Sequence, residues 1–169
     1  MTEDLLLHHA LCYCDDLSQV SSSLLRELLE STGFFYDFEI AVALELLEDA
    51  RAHQNQGEFR FLFAFEGSEL RGYVCYGPIA CTQSSFDLYW IAVSQQYRGH
   101  GLGSELMKLA EQKIRELGGT RVYVETAGRA QYASTRKFYE KIGYQAEACL
   151  KDFYSPGDDK IIYFKNIAD

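Results

Sequence analysis

No stretch of this chain is apolar for long enough to span a membrane, and the opening Met1-Thr-Glu-Asp lacks the basic residues that begin a signal peptide. A soluble, cytoplasmic protein is therefore expected. Basic residues are also in deficit: 16 Lys and Arg stand against 25 Asp and Glu, a formal net charge of −9. A nucleic-acid-binding surface needs a basic footprint, so that class is set aside. The same field repels anions at long range, so a phosphate site here must rely on local amides and a few cations. It suits a cationic second substrate such as an amine. Prolines number only 2, and no repeat, low-complexity tract or Pro/Gly-rich linker divides the 169 residues. A single domain, 1–169, is expected. The 5 cysteines are an odd number without framework spacing, as in a reducing compartment. Cys12 and Cys14 behind His8-His9 have no second Cys/His pair at ligand spacing, so they read as part of a strand and no metal is expected.

What is present is a core: 47% of the residues are hydrophobic and 14% aromatic. A first strand spans Leu6–Cys14, and Leu17, Val20, Leu24, Leu25, Leu28 and Leu29 follow at the spacing of one amphipathic helix that Gly33 ends. A second helix runs from Asp37 to Gln54. Phe59, Phe61, Phe63 and Phe65 alternate on a strand, Glu66-Gly-Ser-Glu69 turns it, and the return strand begins at Arg71. Ser84–Val93 is the fourth strand and Arg121–Thr126 the fifth. The helix between them makes these two parallel. A short helix at Tyr132–Ile142, a strand at Tyr144–Lys151, a turn at Ser155–Asp159 and a strand at Lys160–Lys165 complete the order β-α-α-β-β-β-α-β-α-β-β. That order implies a mixed sheet with helices on both faces.

The most informative segment is Val93-Ser-Gln-Gln-Tyr-Arg98-Gly99-His100-Gly101-Leu102-Gly103-Ser104. Glycines at alternate positions open a helix, where backbone N–H groups and the helix dipole converge on one point. Such a point binds phosphate. A P-loop needs Lys followed by Ser or Thr, whereas Gly103 is followed by Ser104-Glu105. A dinucleotide fold would use Glu125 as its ribose acid. Its third glycine would fall at Ser104, its turn is tighter, and the residues after Glu125 are too few for its remaining βα units.

Coenzyme A is the third candidate. The Arg98-x-x-Gly101-x-Gly103 segment resembles the acyl-CoA signature of the GNAT N-acetyltransferase superfamily. Tyr132-Ala-Ser-Thr-Arg-Lys-Phe-Tyr139-Glu-Lys-Ile-Gly143-Tyr144 resembles its second helix-to-strand segment. Both stand in the family's order and separation, and the element order agrees over nearly the whole chain. The resemblance is closest to uncharacterised bacterial members. It implies the acyl-CoA N-acyltransferase fold, α/β in the mixed α+β sense, with a central sheet of about seven strands. It further implies acetyl-CoA as co-substrate, an amine as acceptor, no metal, no nucleic acid or membrane partner, and room for a homodimer.

The resemblance also implies roles. Main-chain N–H groups of Arg98, Gly99, His100, Gly101, Leu102, Gly103 and Ser104 would face the CoA diphosphate, and backbone of Ile91, Ala92 and Val93 would pair with the pantetheine arm. The Val93 N–H would polarise the thioester, and Tyr139 would be general acid for the thiolate. Ser134 and Arg136 would reach the arm or its phosphates. Tyr132 and Thr135 stand where many members carry Asn and Ala, so a side-chain bond from 132 to the arm is not carried over. From the residues themselves, Arg98 can add a charge-assisted bond, and His100 reads as a loop residue rather than a catalyst. Glu125, sharing a strand face with Tyr123, ranks above Asp87 as the base that takes the amine proton. Asp87 is expected on one face with Tyr89 and Ile91. Phe34-Phe35-Tyr36, Tyr89, Trp90, Phe153, Tyr154 and Asp158-Asp159 are candidates for the acceptor pocket, aromatics and acids suiting an alkylammonium. No Cys-His pair suggests an acyl-enzyme, so direct attack in a ternary complex is expected. The alternative is an acyl-CoA-binding sensor or interaction module without turnover.

Overall fold

The computed structural model describes residues 10–168, so His8, His9 and the first part of the expected opening strand lie outside the described residues. The described part, β1 (Leu11–Cys14), pairs antiparallel with β2 (Arg60–Glu66). The apolar stretch after β1 is not one helix. Asp16 caps a single 3-10 turn at Leu17–Gln19, and Val20 is extended. Ser21 then caps α1 (Ser22–Ser31), its hydroxyl accepting from the Leu24 N–H at 3.1 Å. Polar side chains that accept from first-turn N–H groups start the helix twice where apolar periodicity shows one. α2 (Asp37–Ala52) starts at Tyr36, whose N–H donates to Glu39 Oε2 at 2.8 Å.

β2 and β3 (Glu69–Pro78) form a hairpin, and β4 (Ser85–Val93) returns beside β3. α3 (Leu102–Glu116) then crosses to β5 (Arg121–Ala127), which runs parallel to β4 as its helical connection requires. α4 (Ala133–Lys141) leads into a hairpin of β6 (Gln145–Ser155) and β7 (Asp158–Asn166), with β7 inserted next to β5. The sheet order is β1-β2-β3-β4-β5-β7-β6. This hairpin is longer than the expected Tyr144–Lys151 and Lys160–Lys165, because only Pro156-Gly157 separate its strands. β6 is exposed along almost its whole length, so no apolar alternation marks its end.

Two cores sandwich the sheet. Leu25, Leu29, Ile40 and Leu47 of α1 and α2 pack on Phe61, Phe63 and Tyr73 on one face. Leu106, Met107, Ala110 and Ile114 of α3 pack with Val74, Leu88, Val122 and Val124 on the other. Each buried Leu, Ile or Phe contributes about 1.5–3 kcal/mol relative to exposure.

One irregularity builds the site. Cys75 pairs with Trp90 but Tyr76 with Leu88, so Tyr89 is an extra residue, a β-bulge. The bulge resets the alternation along β4. Phe86 and Leu88 before it, and Ile91 and Val93 after it, all pack on the α3 core, while Ala92 faces α1 and α2. The expectation that Asp87, Tyr89 and Ile91 share a face is therefore corrected for Ile91. Parallel pairing of β4 with β5 runs from Ser85 opposite Arg121 to Leu88 opposite Val124 and stops there. β5 instead continues along β7 as far as Ala127 opposite Lys160. The two parallel strands part at the bulge.

Candidate active site

The parting strands open a cleft of about 850 Å³ between the α1–α2 loop, the glycine loop and α4. Its inner edge is the backbone of β4. Ser94 N–H donates to Arg71 O at 2.8 Å, so this directly opposed pair is hydrogen-bonded. In an antiparallel ladder the pairs alternate, so Val93 opposite Gly72 and Ile91 opposite Val74 turn their N–H and C=O away from β3. Beyond Leu88 no β5 residue pairs with β4, so these groups face the gap. Ile91, Ala92 and Val93 all line the cleft.

The glycine loop meets the cleft at the start of α3. Gly99 and Gly101 have φ of +78° and +87°, a left-handed region that a side chain strains. Gly103 does not share it; a Cβ there would sit 3.4 Å from the Phe138 ring of α4, an ordinary contact that a small side chain satisfies. The N–H groups of Gly99, Gly101, Leu102, Gly103 and Ser104 have no hydrogen-bond partner among the described residues, and all five residues line the cleft. Two expected donors fall away. Arg98 N–H closes a turn on Gln95 O and His100 N–H one on Tyr97 O, each at 3.4 Å, because the loop approaches α3 through a 3-10 turn at Gln95–Tyr97. The Arg98 guanidinium donates to Thr32 O at 2.8 Å and lies 5.5 Å over the Phe34 ring, bracing the α1–α2 loop. Five free amides at a helix N-terminus remain a fit for a diphosphate.

Ser134 lines the cleft, as does Thr135. Arg136 does not: its Nη1 donates to the carbonyls of Ala127 at 2.7 Å and Arg129 at 3.0 Å, tying α4 to the end of β5. Tyr139 reaches the cleft from α4. It is 5% exposed, ringed by Tyr144 and Tyr163 at 5.9 and 5.8 Å, and its hydroxyl has no protein partner among the described residues. Burial holds this phenol well above its ordinary value of 10.0.

The carboxylates sit where β4 and β5 part. Glu125 lines the cleft, and its Oε2 is 2.5 Å from Lys160 Nζ on β7. Lys160 also lies 4.5 Å over the Phe153 ring. Asp87, one residue before the last paired position of β4, is not on the cleft surface but behind it. Desolvation by burial, and then the charge of Glu125, raise its carboxyl to about 6, against a smaller opposing effect of Lys160. Tyr36, Tyr89 and Tyr154 line the same cleft. Of the expected acids, Asp158 lines the cleft paired to Arg129 Nε at 2.9 Å, whereas Asp159 binds Lys151 Nζ at 2.6 Å outside it. Sequence reasoning missed Arg129 and Lys160. Both meet their carboxylates only through strand register, which leaves no mark in local spacing. Among the described residues no group of His, Cys, Asp and Glu is arranged to hold a metal, and no helix is long and apolar enough to cross a membrane.

Comparisons with known proteins agree with this geometry. The Acetyltransferase (GNAT) family matches residues 23–144. A crystal structure from Desulfovibrio desulfuricans, assigned to the GNAT family as an acetyltransferase, superposes with a TM-score of 0.91 at 42% identity, covering 94% of this chain and 100% of that one. An aminoglycoside 6′-N-acetyltransferase complexed with coenzyme A shares the fold at a TM-score of 0.74 and 19% identity, over 95% and 98% of the two chains. An uncharacterised N-acetyltransferase of Methanocaldococcus jannaschii is 29% identical over 75 residues, 44% of this chain and about half (47%) of that protein. With the glycine cradle, the parted parallel strands and these matches in place, the chain belongs to the GNAT family of acetyltransferases.

Proposed function

We propose that the protein transfers the acetyl group of acetyl-CoA to a primary amine, by direct attack within a ternary complex. The carrying observation is that the free amides of the glycine loop, the outward Val93 N–H and the Tyr139 hydroxyl open into one cleft. A diphosphate fits the five amides of Gly99, Gly101, Leu102, Gly103 and Ser104, and the gap between β4 and β5 offers Ile91 and Val93 main-chain groups to a pantetheine arm. Bound there, the donor supplies an acetyl group activated as a thioester.

The protein's own groups then divide the work. Val93 N–H donates to the carbonyl oxygen as it gains negative charge, a bond stronger in the transition state than before it. Tyr139 donates its hydrogen to the sulfur as the carbon–sulfur bond breaks. A thiol near 8.5 is more acidic than a phenol held above 10, so Tyr139 stabilises the departing thiolate chiefly by hydrogen bonding. The amine arrives as an ammonium and must lose a proton before attack. Glu125 meets it at the cleft wall, paired to Lys160, and behind it burial raises the Asp87 carboxyl to about 6, which suits a proton acceptor at neutral pH. This ordering reverses the sequence-based ranking: Glu125 positions the ammonium and Asp87 holds the proton, directly or through water.

The test is acetyl-CoA turnover against an amine panel, followed as free thiol, for the wild type and Tyr139→Phe. The variant should lose about 10²-fold in kcat while its Kd for CoA stays within about twofold. CoA binding without transfer to any amine would make the protein a sensor and overturn the enzymatic reading.

A further inference from the structure

Resting on that transferase reading, we propose that the acceptor is an arylalkylamine, one ammonium on a flat apolar body, rather than a polycation or a peptide.

Exposed aromatic rings are concentrated in one place. Among the described residues the large aromatics left exposed are Tyr36 (50%), Phe38 (68%), Tyr89 (37%), Phe153 (53%) and Tyr154 (49%). Four of these line the cleft, and the fifth, Phe153, stands edge-on to Tyr154 at 5.1 Å. Behind them, Phe35 contacts Trp90 at 5.0 Å and Phe59 contacts Tyr89 at 5.1 Å, so the wall continues inward as ring against ring. Exposed apolar patches of this kind mark ligand surfaces. Tyr36 stacks on Phe38 at 5.7 Å and 12°, and both line the cleft.

Two of the three carboxylates on the same wall are ion-paired. Glu125 is paired to Lys160, Asp158 to Arg129, and Glu39 accepts from the Tyr36 N–H at the start of α2. Among the described residues, a second ammonium would find only Glu39 without an ion pair, and a third would find none, so a polycation gains little there. A single ammonium is served at the parting of β4 and β5, by Glu125 with Asp87 behind it. The walls are also tied to each other. Arg129 Nη1 donates to Tyr36 Oη at 3.4 Å, Gln131 Nε2 to Phe34 O at 3.3 Å, and Phe34 meets Tyr132 edge-on at 5.2 Å. An extended peptide would have to break these bridges to run through; a small ring enters beside them.

Burying one phenyl ring corresponds to a preference of about 10- to 100-fold over the same amine without it. Phenethylamine, tryptamine, n-butylamine, kanamycin, spermidine and a short peptide with a free N-terminus are compared in two ways. One is kcat/KM at saturating acetyl-CoA; the other is calorimetric affinity for the CoA-loaded protein, which needs no turnover. Phenethylamine and tryptamine should exceed n-butylamine by about tenfold or more in both, with kanamycin and spermidine below it. Phe38→Ala, at an exposed position, should narrow the phenethylamine to n-butylamine ratio several-fold. An unchanged ratio, or phenethylamine no better than n-butylamine while kanamycin, spermidine or peptide is acetylated, overturns the arylalkylamine class and leaves the transferase standing. Absence of transfer to every amine, with CoA bound, overturns the transferase reading and the acceptor class with it.

Discussion

Asp87 carries a cost that its chemistry explains. A carboxyl raised from 3.8 to about 6 holds its proton more tightly in the folded chain than in the unfolded one. The sign follows: its contribution to stability is fully present below pH 3.8, and falls away as the pH rises through 6. Asp87→Asn should therefore gain roughly 1 kcal/mol of stability at neutral pH, after discounting for its partial contact with solvent. In wild-type enzyme kcat/KM should rise with pH through about 6, as Asp87 becomes able to accept a proton. The variant should lose that limb and about 10²-fold in rate. Denaturant melts at pH 4 and pH 8 check the first statement, and a pH–rate profile checks the second. A variant less stable than wild type at pH 8, or a limb that persists, removes Asp87 from the role. Sequence reasoning ranked Glu125 above Asp87 as the base, because burial of a strand residue cannot be read from local spacing. What sets Asp87 apart is burial behind the cleft, whereas Glu125 lines it with Lys160 Nζ at 2.5 Å through the register of β5 with β7.

Among the elements, α3 was legible from its start, because the alternating glycines open it and it must carry the chain from the fourth strand to a parallel fifth. The loop before it was legible as chemistry but not as geometry. Which amides stay free depends on the 3-10 turn at Gln95–Tyr97, which consumes those of Arg98 and His100. Gly101→Ala places a Cβ at φ +87°, costing about 1–2 kcal/mol of strain or forcing the loop to relax and re-aim its N–H groups. The affinity for CoA should weaken about tenfold, a change of about 1.4 kcal/mol, with the fold kept. Calorimetry with CoA decides this, and an unaltered Kd would show that the loop does not hold the diphosphate. The first helix was the element read least well. Leu17 to Leu29 has one continuous apolar stripe, yet Asp16 and Ser21 each cap a separate start, and capping acts through hydrogen bonds that periodicity does not register.

At the scale of the molecule, the site depends on how α3 is held against the hairpin that diverts β5. Glu111 of α3, 5% exposed, takes Lys165 Nζ of β7 on both its oxygens at 2.9 Å, and accepts from the Tyr144 hydroxyl at 3.1 Å. Removing one partner of a buried, hydrogen-bonded pair costs about 3–5 kcal/mol because the other charge is left without compensation. Glu111→Ala should therefore lower the melting temperature by roughly 6–15 °C in a chain of this size, measurable by calorimetry. A loss below about 2 °C would mean that the bridge is not what holds α3 on β7.

The sequence by itself determined the element order, the two faces of the sheet and the glycine-opened start of α3, because each is encoded by residues close together along the chain. The tertiary structure decided what depends on strand register: the bulge at Tyr89, the early end of the β4–β5 ladder, the outward Val93 N–H, and the pairing of Glu125 with Lys160 and Asp158 with Arg129. Register is set by packing over the whole sheet, and a single inserted residue reverses which side chains face the core. No window of local sequence contains that information.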